Sequence, residues 1–379
     1  MPYIVTKRVR RGYQMTFDDL LDPYFDLKAH HMLDTPYTFT AFRETIPERL
    51  KNQIDINELI FLLQDFNRVT EFLHRKPREE WYRSYCIPKR SGGLRPIDEP
   101  CGELKHAISA LKTLFEERFY ALHHTAAYAY VKGRSNVDMA RYHQAANSHW
   151  YAHFDFSNFF GSVTLEYTMD TLAQIYPFSE VCKTNSEDLK KAVDLCFFKG
   201  GLPQGTPISP LLTNLVMIPI DAALYKRCKE KDLHYSRYAD DLVISGYRKF
   251  DPKECEKDIL EVLDLFNAPM KLNAKKTTFG SRAGHNMVVG LLINQDNEVT
   301  IGSRKRNVFR AMVHNFLRDY QAGKPWSIED TQHLVGLSSY YRNVNAADTD
   351  GIINKYNQKF HCNFEAIWKN ILKEATTLV

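Results

Sequence analysis

The sequence predicts an α+β fold. Three observations carry that prediction. Apolar residues recur at helical spacing near both ends of the chain, two strand pairs, one of them turned on glycines, lie between them, and an aromatic strand run ends on an acid.

Ile54 to Leu73 places Ile56, Leu59, Ile60, Leu63, Phe66, Val69 and Phe72 at helical spacing, and Pro77 ends the pattern. Two short β-like runs then flank Ser91-Gly92-Gly93, a hairpin signal. Residues 102–122 return to a helical period through Leu104, Ile108, Leu111, Phe115 and Phe119. Trp150 to Phe156 reads as an aromatic strand, and a helical stretch with polar breaks runs on to about 198. Gly200 to Gly205 is a loop, and Pro207 to Leu224 an apolar helix. A second hairpin follows, with Leu233 to Arg237 entering, Tyr238 to Asp241 turning and Leu242 to Ser245 leaving. Phe250 to Phe266 reads as an amphipathic helix, and Leu272 to Gly280 and His285 to Asn294 as strands. Helices are predicted over 303–321, 328–343 and 350–375.

The 379 residues are 44% hydrophobic and 25% charged, which excludes a disordered chain and leaves room for sizeable cores. No apolar run approaches the roughly 18 residues of a membrane helix, and the basic start is not followed by an apolar stretch. Seven cysteines without a C-x-x-C pair read as reduced thiols. The expectation is a cytoplasmic protein with no membrane partner. Fifty basic against 46 acidic residues give a net charge of +4, too small to name a partner. Local clusters say more: Lys7, Arg8, Arg10 and Arg11, and later Arg304, Lys305, Arg306 and Arg310, suit phosphates or a solvated face equally.

Three carboxylates stand out. Asp155 ends the aromatic strand run, while Asp240 and Asp241 are adjacent between two apolar runs. Adjacent acids repel, and apolar flanks worsen the repulsion; divalent cations relieve it and support phosphoryl transfer. Asp240-Asp241 taken alone also suits a solvated turn. No G-x-S-x-G motif or metal-spaced histidine set offers a competing chemistry.

The surrounding residues favour the catalytic alternative, for the chain resembles the reverse transcriptases in several blocks in family order. IPKRSGGLRPI (87–97) is similar to the fingers hairpin, and FDFSNFF (154–160) to the first palm aspartate block. GLPQGTPISPLLTN (201–214) is similar to the block lining template and nucleotide, and RYADDL (237–242) carries the Y-x-D-D turn. LNAKKT (272–277) and VVGLLI (288–293) resemble the last palm strands and the primer grip.

The resemblance implies a right-hand polymerase: a helical N-terminal extension over 1–80, fingers and an antiparallel-sheet palm over 81–300, and a helical thumb over 301–379. It implies an RNA-directed DNA polymerase in which Asp155, Asp240, Asp241 and the carbonyl of Phe156 hold two Mg²⁺ ions, with Mn²⁺ as an alternative. Lys89 and Arg95 should neutralise the triphosphate of a dNTP, and the amides of Asn158 and Phe159 should approach it. Phe160, five positions after Asp155, fits a steric gate against a ribose 2′-hydroxyl. Gln204 should lie along the nucleotide. Lys276 is a candidate general acid, with Lys275 an equal one. Gly290 and Leu291 should bear on the primer strand.

The roughly 85 residues after 294 suit a three-helix thumb and are too few for a maturase, ribonuclease H or HNH domain. Ser209-Pro210 stands where diversity-generating retroelement enzymes carry Ser-Gln. Residues 129–143 resemble the retron-type insert, whose hallmark is N-A-x-x-H; Ala140 and His143 match, and Met139 replaces the Asn. The V-T-G hallmark stands as Val288-Val289-Gly290. In the insert Lys132, Arg134 and Arg141 offer charge to RNA and Tyr130 and Tyr142 offer stacking faces, or the segment is a structural crossover helix. The resemblance thus implies a retron-type or other defence-associated bacterial enzyme working in antiviral defence. Its expected partners are a structured noncoding RNA template, the DNA primer or product, dNTPs and an effector protein from the same operon. Arg304, Lys305 and Arg306 would contact duplex phosphates. The alternative is template-independent or protein-primed DNA synthesis. A third reading, an RNA-binding scaffold without chemistry, is disfavoured because unused clustered acids only destabilise.

Overall fold

The computed structural model describes residues 55–89, 92–118, 123–284 and 287–376. Most of the predicted N-terminal extension and its Lys7–Arg11 cluster lie outside the described residues. No helix of the described residues is long and apolar enough to cross a membrane.

The described elements fall into two compact units. One holds residues up to Arg134 together with Ala152–Phe279; the other holds Ser135–Tyr151 and the residues from Gly280 onward.

In the first unit, helix α1 (Ile56–Thr70) is started by Asp55, whose carboxylate accepts from the amides of Asn57 and Glu58. Strands β1 (Tyr82–Pro88) and β2 (Leu94–Pro100) form the expected antiparallel hairpin, with Ile87 opposite Arg95. Gly92 and Gly93 both take positive φ, +86° and +81°, which a side chain would resist. Helix α2 (Gly102–Arg118) follows.

A five-stranded sheet forms the centre of this unit. Its order is β4 (His234–Tyr238), β5 (Asp241–Gly246), β3 (Trp150–Ser157), β6 (Lys271–Leu272), with β7 (Thr278–Ser281) also on β3. Strand β3 is apolar on both faces, as a central strand must be: Tyr151, Ala152, Phe154 and Phe156 are all buried. The apolar stretch 207–224 is not one helix. It divides into Ser209–Val216 and Ile218–Glu230, because Pro219 suits the first turn of a helix rather than its interior. The expected strands 272–280 and 285–294 are likewise shorter than the apolar pattern suggests, the second becoming β8 (Met287–Val288) and β9 (Leu291–Ile293).

In the second unit, helix α3 (Asn136–Ala145), capped by Ser135, packs on β8, β9 and β10 (Val299–Thr300). Helices Ser303–Gln321 and Ile328–Val344 match the predicted pattern. The third predicted helix, 350–375, is two: Ala346–Phe360 and Phe364–Thr376. His361 breaks it by taking a left-handed conformation at φ +48°, and Asn357 Oδ1 accepts from the Phe364 amide at 2.9 Å across the break. Phe316 joins the two ends of this bundle, edge-on to Trp326 and Phe364.

Candidate active site

The Y-x-D-D segment closes a two-residue turn. Tyr238 and Asp241 pair across it, leaving Ala239 and Asp240 at the tip. Ala239 sits at φ +57°, a conformation that non-glycine residues rarely hold without support. The support is Arg237. Its guanidinium donates to the Ala239 carbonyl at 3.1 Å, to both oxygens of Asp221 at 2.7–3.1 Å, and to Asn214 Oδ1 at 3.1 Å. Tyr235 adds a hydroxyl donor to Asp221 at 2.8 Å. Arg237 and Asp221 are both fully buried. The sequence pattern gave no sign of this cluster, because Asp221 lies inside an apolar helix. The only available signal was a charged residue in that run.

The turn is tied to β3 by its backbone: the Phe156 amide donates to the Asp240 carbonyl at 3.1 Å. This brings Asp155 beside the Asp240-Asp241 pair. Asp155 is 5% exposed, and its Oδ1 is buried with no hydrogen-bond partner, while Oδ2 accepts from Lys276 Nζ at 2.9 Å. Of the two candidate lysines, Lys276 is therefore the one that meets an aspartate. Its hydrogen bond to Asp155 raises its pKa. Asp240 is shifted upward, first by burial and then by the charge of Asp155, with Lys276 and Arg95 opposing. Asp241 is pushed up to about 6 by desolvation and by the charges of Asp240 and Asp155. It reaches solvent at the turn, so like-charge repulsion is the firmer cause of its upward direction.

These residues fit divalent cations. A buried carboxylate oxygen lacks a partner, two neighbouring acids are held against mutual repulsion, and an ammonium already neutralises part of the charge. Among the described residues no three His, Cys, Asp or Glu side chains form a ready-made metal cage.

The predicted nucleotide-site residues gather in the same unit. Asn158 is exposed at φ +47° and opens the short helix Phe159–Ser162. Phe159 is buried and stacked on Phe156 at 5.6 Å, so its contribution is its backbone; Phe160 is the ring left half-exposed. The 200–205 loop lies directly against this helix. The Leu202 amide donates to the Phe160 carbonyl at 3.1 Å, and a Cβ on Gly201 would stand 2.3 Å from the Gly161 oxygen. The Gln204 carbonyl accepts from the Asp98 amide at 2.8 Å, fastening the loop to the β1–β2 hairpin. Lys89 and Arg95 are exposed on that hairpin, and the charge of Arg95 reaches Asp240.

Two insert residues have roles that spacing did not suggest. Arg134 is committed within the protein: Nη1 donates to the carbonyls of Thr125 and Ala127, at 2.5 and 2.7 Å, and the guanidinium lies over Tyr128. It fastens the loop that delivers Tyr130, whose exposed ring meets Phe160 edge-on at 6.3 Å. Tyr130 thus stands beside Phe160.

In the second unit, Arg141 donates to the Asn343 carbonyl, Lys305 to the Gly290 carbonyl at 2.8 Å, and Arg306 to both oxygens of Asp348. Lys132 in the first unit and Arg304 in the second are exposed.

Residues 87–308 match the family described as reverse transcriptase (RNA-dependent DNA polymerase). The retron Ec83 reverse transcriptase of Escherichia coli is 29% identical, over 73% of this chain and 87% of its own length. The retron Ec73 enzyme of E. coli is 27% identical over 75% and 88%, and the retron Mx162 enzyme of Myxococcus xanthus 28% over 68% and 57%. A solved telomerase from Candida tropicalis, in complex with a fragment of telomeric RNA, overlaps 76% of this chain and 55% of its own at TM-score 0.45 and 16% identity, too distant to bear on function. With the family's match running from residue 87 to 308, through the three aspartates and the turn at Gly290, the chain belongs to the reverse transcriptases, the RNA-directed DNA polymerases, and has retron enzymes among its relatives.

Proposed function

We propose that this enzyme copies a structured noncoding RNA into DNA from dNTPs, as a retron-type reverse transcriptase serving antiviral defence in a bacterium. The observation that carries the chemistry is the meeting of Asp155 with Asp240 and Asp241, with one buried oxygen of Asp155 left without a partner.

Asp155, Asp240, Asp241 and the carbonyl of Phe156 would hold two Mg²⁺ ions. When bound, these ions supply the positive charge that phosphoryl transfer needs at the attacking and leaving oxygens. The protein's own residues do the rest. Arg95 and Lys89 bring charge to the triphosphate from an exposed hairpin. The amides of Asn158 and Phe159, at an exposed left-handed turn, would approach the triphosphate. Phe160 and Tyr130 form the wall against which the sugar is placed, and Phe160 discriminates against a 2′-hydroxyl. The Leu202 amide ties the loop carrying Gln204 to the Phe160 carbonyl, and Gly201 lets the two backbones come that close. Lys276, which donates to Asp155, would give a proton to the departing pyrophosphate. Arg304 and Lys305 would offer charge to duplex phosphates, which gives affinity without sequence reading, while Arg306 would first have to leave Asp348.

The retron assignment rests on the relatives and on the insert at 129–143; defence and an operon-encoded effector follow from it. Sequencing of nucleic acid bound to the enzyme, expressed with its native flanking DNA, tests the reading. A defined RNA paired or joined to complementary DNA supports it. DNA that matches no template, or that stays on the protein after denaturation, would replace it with untemplated or protein-primed synthesis.

A further inference from the structure

Val289 and Gly290 are the two central residues of a hairpin turn in which Val288 pairs with Leu291. Both have positive φ, +47° and +80°. That is the pattern of a type I′ turn, which favours Asn-Gly. Valine is among the poorest residues for its first position, since a β-branched side chain at positive φ is a genuine outlier. The conformation must be held from outside.

Two side chains hold it. Asn136 Nδ2 donates to the Val289 carbonyl at 3.2 Å, and Lys305 Nζ donates to the Gly290 carbonyl at 2.8 Å. The Asn136 amide is itself aimed by Tyr340, whose hydroxyl accepts from the same nitrogen at 2.7 Å. Asn136 opens helix α3, and that helix is packed on the strands flanking the turn and fixed to them by a reciprocal pair: Gln144 Nε2 to the Asn297 carbonyl at 2.7 Å, and Asn297 Nδ2 to the Gln144 carbonyl at 3.1 Å. All of these residues belong to one compact unit.

We infer that Asn136 is a positioning residue for the primer strand: it fixes the strained Val289-Gly290 turn in the form that meets the primer, so the insert acts on synthesis through this backbone and not only by touching RNA. The inference rests on the reading of Gly290 as a primer contact. Strain held at a functional turn is released when its support is removed, and the turn then loses its shape.

The test is steady-state primer extension by the full-length enzyme on a defined RNA template with a DNA primer. Asn136→Ala should raise the KM for primer–template about tenfold, the effect expected from one strained backbone position, and leave the KM for dNTP unchanged. Val289→Gly alone sets the reference for the rescue, because glycine adopts positive φ without support. The double variant Asn136→Ala/Val289→Gly should recover to within about twofold, since the relaxed residue needs no holder. Thermal unfolding of each variant separates a folding defect from this effect. A defect that Val289→Gly fails to rescue would overturn the inference, and Asn136 would then act by direct contact or by stability. An unaffected Asn136→Ala beside an impaired Gly290→Ala would also overturn it, while sparing the primer reading. If neither variant changes primer–template kinetics, the primer reading itself fails and the inference with it.

Discussion

Arg237 and Asp221 form an ion pair with no solvent exposure on either side chain, 2.7 Å apart at the closest, directly behind the turn that carries Asp240 and Asp241. The same guanidinium bonds the carbonyl of Ala239, the strained residue of that turn. Fold stability and catalytic geometry therefore meet in one side chain.

Removing one partner leaves a buried charge uncompensated. Asp221→Ala should destabilise the protein by about 3–5 kcal/mol. Chemical denaturation of Asp221→Ala, Arg237→Ala and the double variant checks this. The double variant should lose much less than the sum of the singles, because no lone charge remains. It should still synthesise DNA poorly, since Ala239 has lost its support. Additive losses would mean that the pair is not coupled.

The ring of Phe160 and its neighbour Tyr130 form the proposed sugar wall. Phe160→Ala should improve ribonucleotide use relative to deoxynucleotide use on the order of 10- to 100-fold, comparable to opening a pocket by several carbons. Tyr130→Ala should shift the ratio in the same direction by a smaller factor. Single-nucleotide incorporation with paired dNTP and rNTP reads both. A ratio unchanged in Phe160→Ala would remove it from the gate.

Asp241 is shifted up to about 6 from an ordinary value of 3.8. Between these values the folded protein keeps a proton that the unfolded chain has released. The contribution of Asp241 to stability is therefore full below about pH 4 and is lost as pH rises through about 6. In EDTA, wild type should lose stability relative to Asp241→Asn across this window. Protons and cations compete for the same oxygens, so half-saturating Mg²⁺ for wild-type synthesis should rise as pH falls below about 6. Parallel stability curves for the two proteins would contradict the shift.

The elements of the candidate site were legible because their residues form local patterns. An acid at the end of an apolar strand, two acids in a tight turn, and glycines at the fingers hairpin are all short-range features. The Arg237–Asp221 pair was not legible, since its members lie 16 residues apart and only the fold brings them together. The insert's arginines were read by charge alone, and charge does not reveal that Arg134 donates to two backbone carbonyls. Apolar periodicity likewise carried the last helix through His361, where a left-handed residue divides it. The Val289 turn was hidden because valine argues for strand there, and its holder Asn136 is 153 residues away.

The most direct test of the central claim compares wild type with Asp240→Ala/Asp241→Ala, each purified from cells carrying the native flanking DNA, by sequencing the bound RNA and DNA. The account predicts the same RNA on both proteins, with complementary DNA on the wild type alone. Complementary DNA of equal yield on the double variant would contradict the assignment of these aspartates to synthesis.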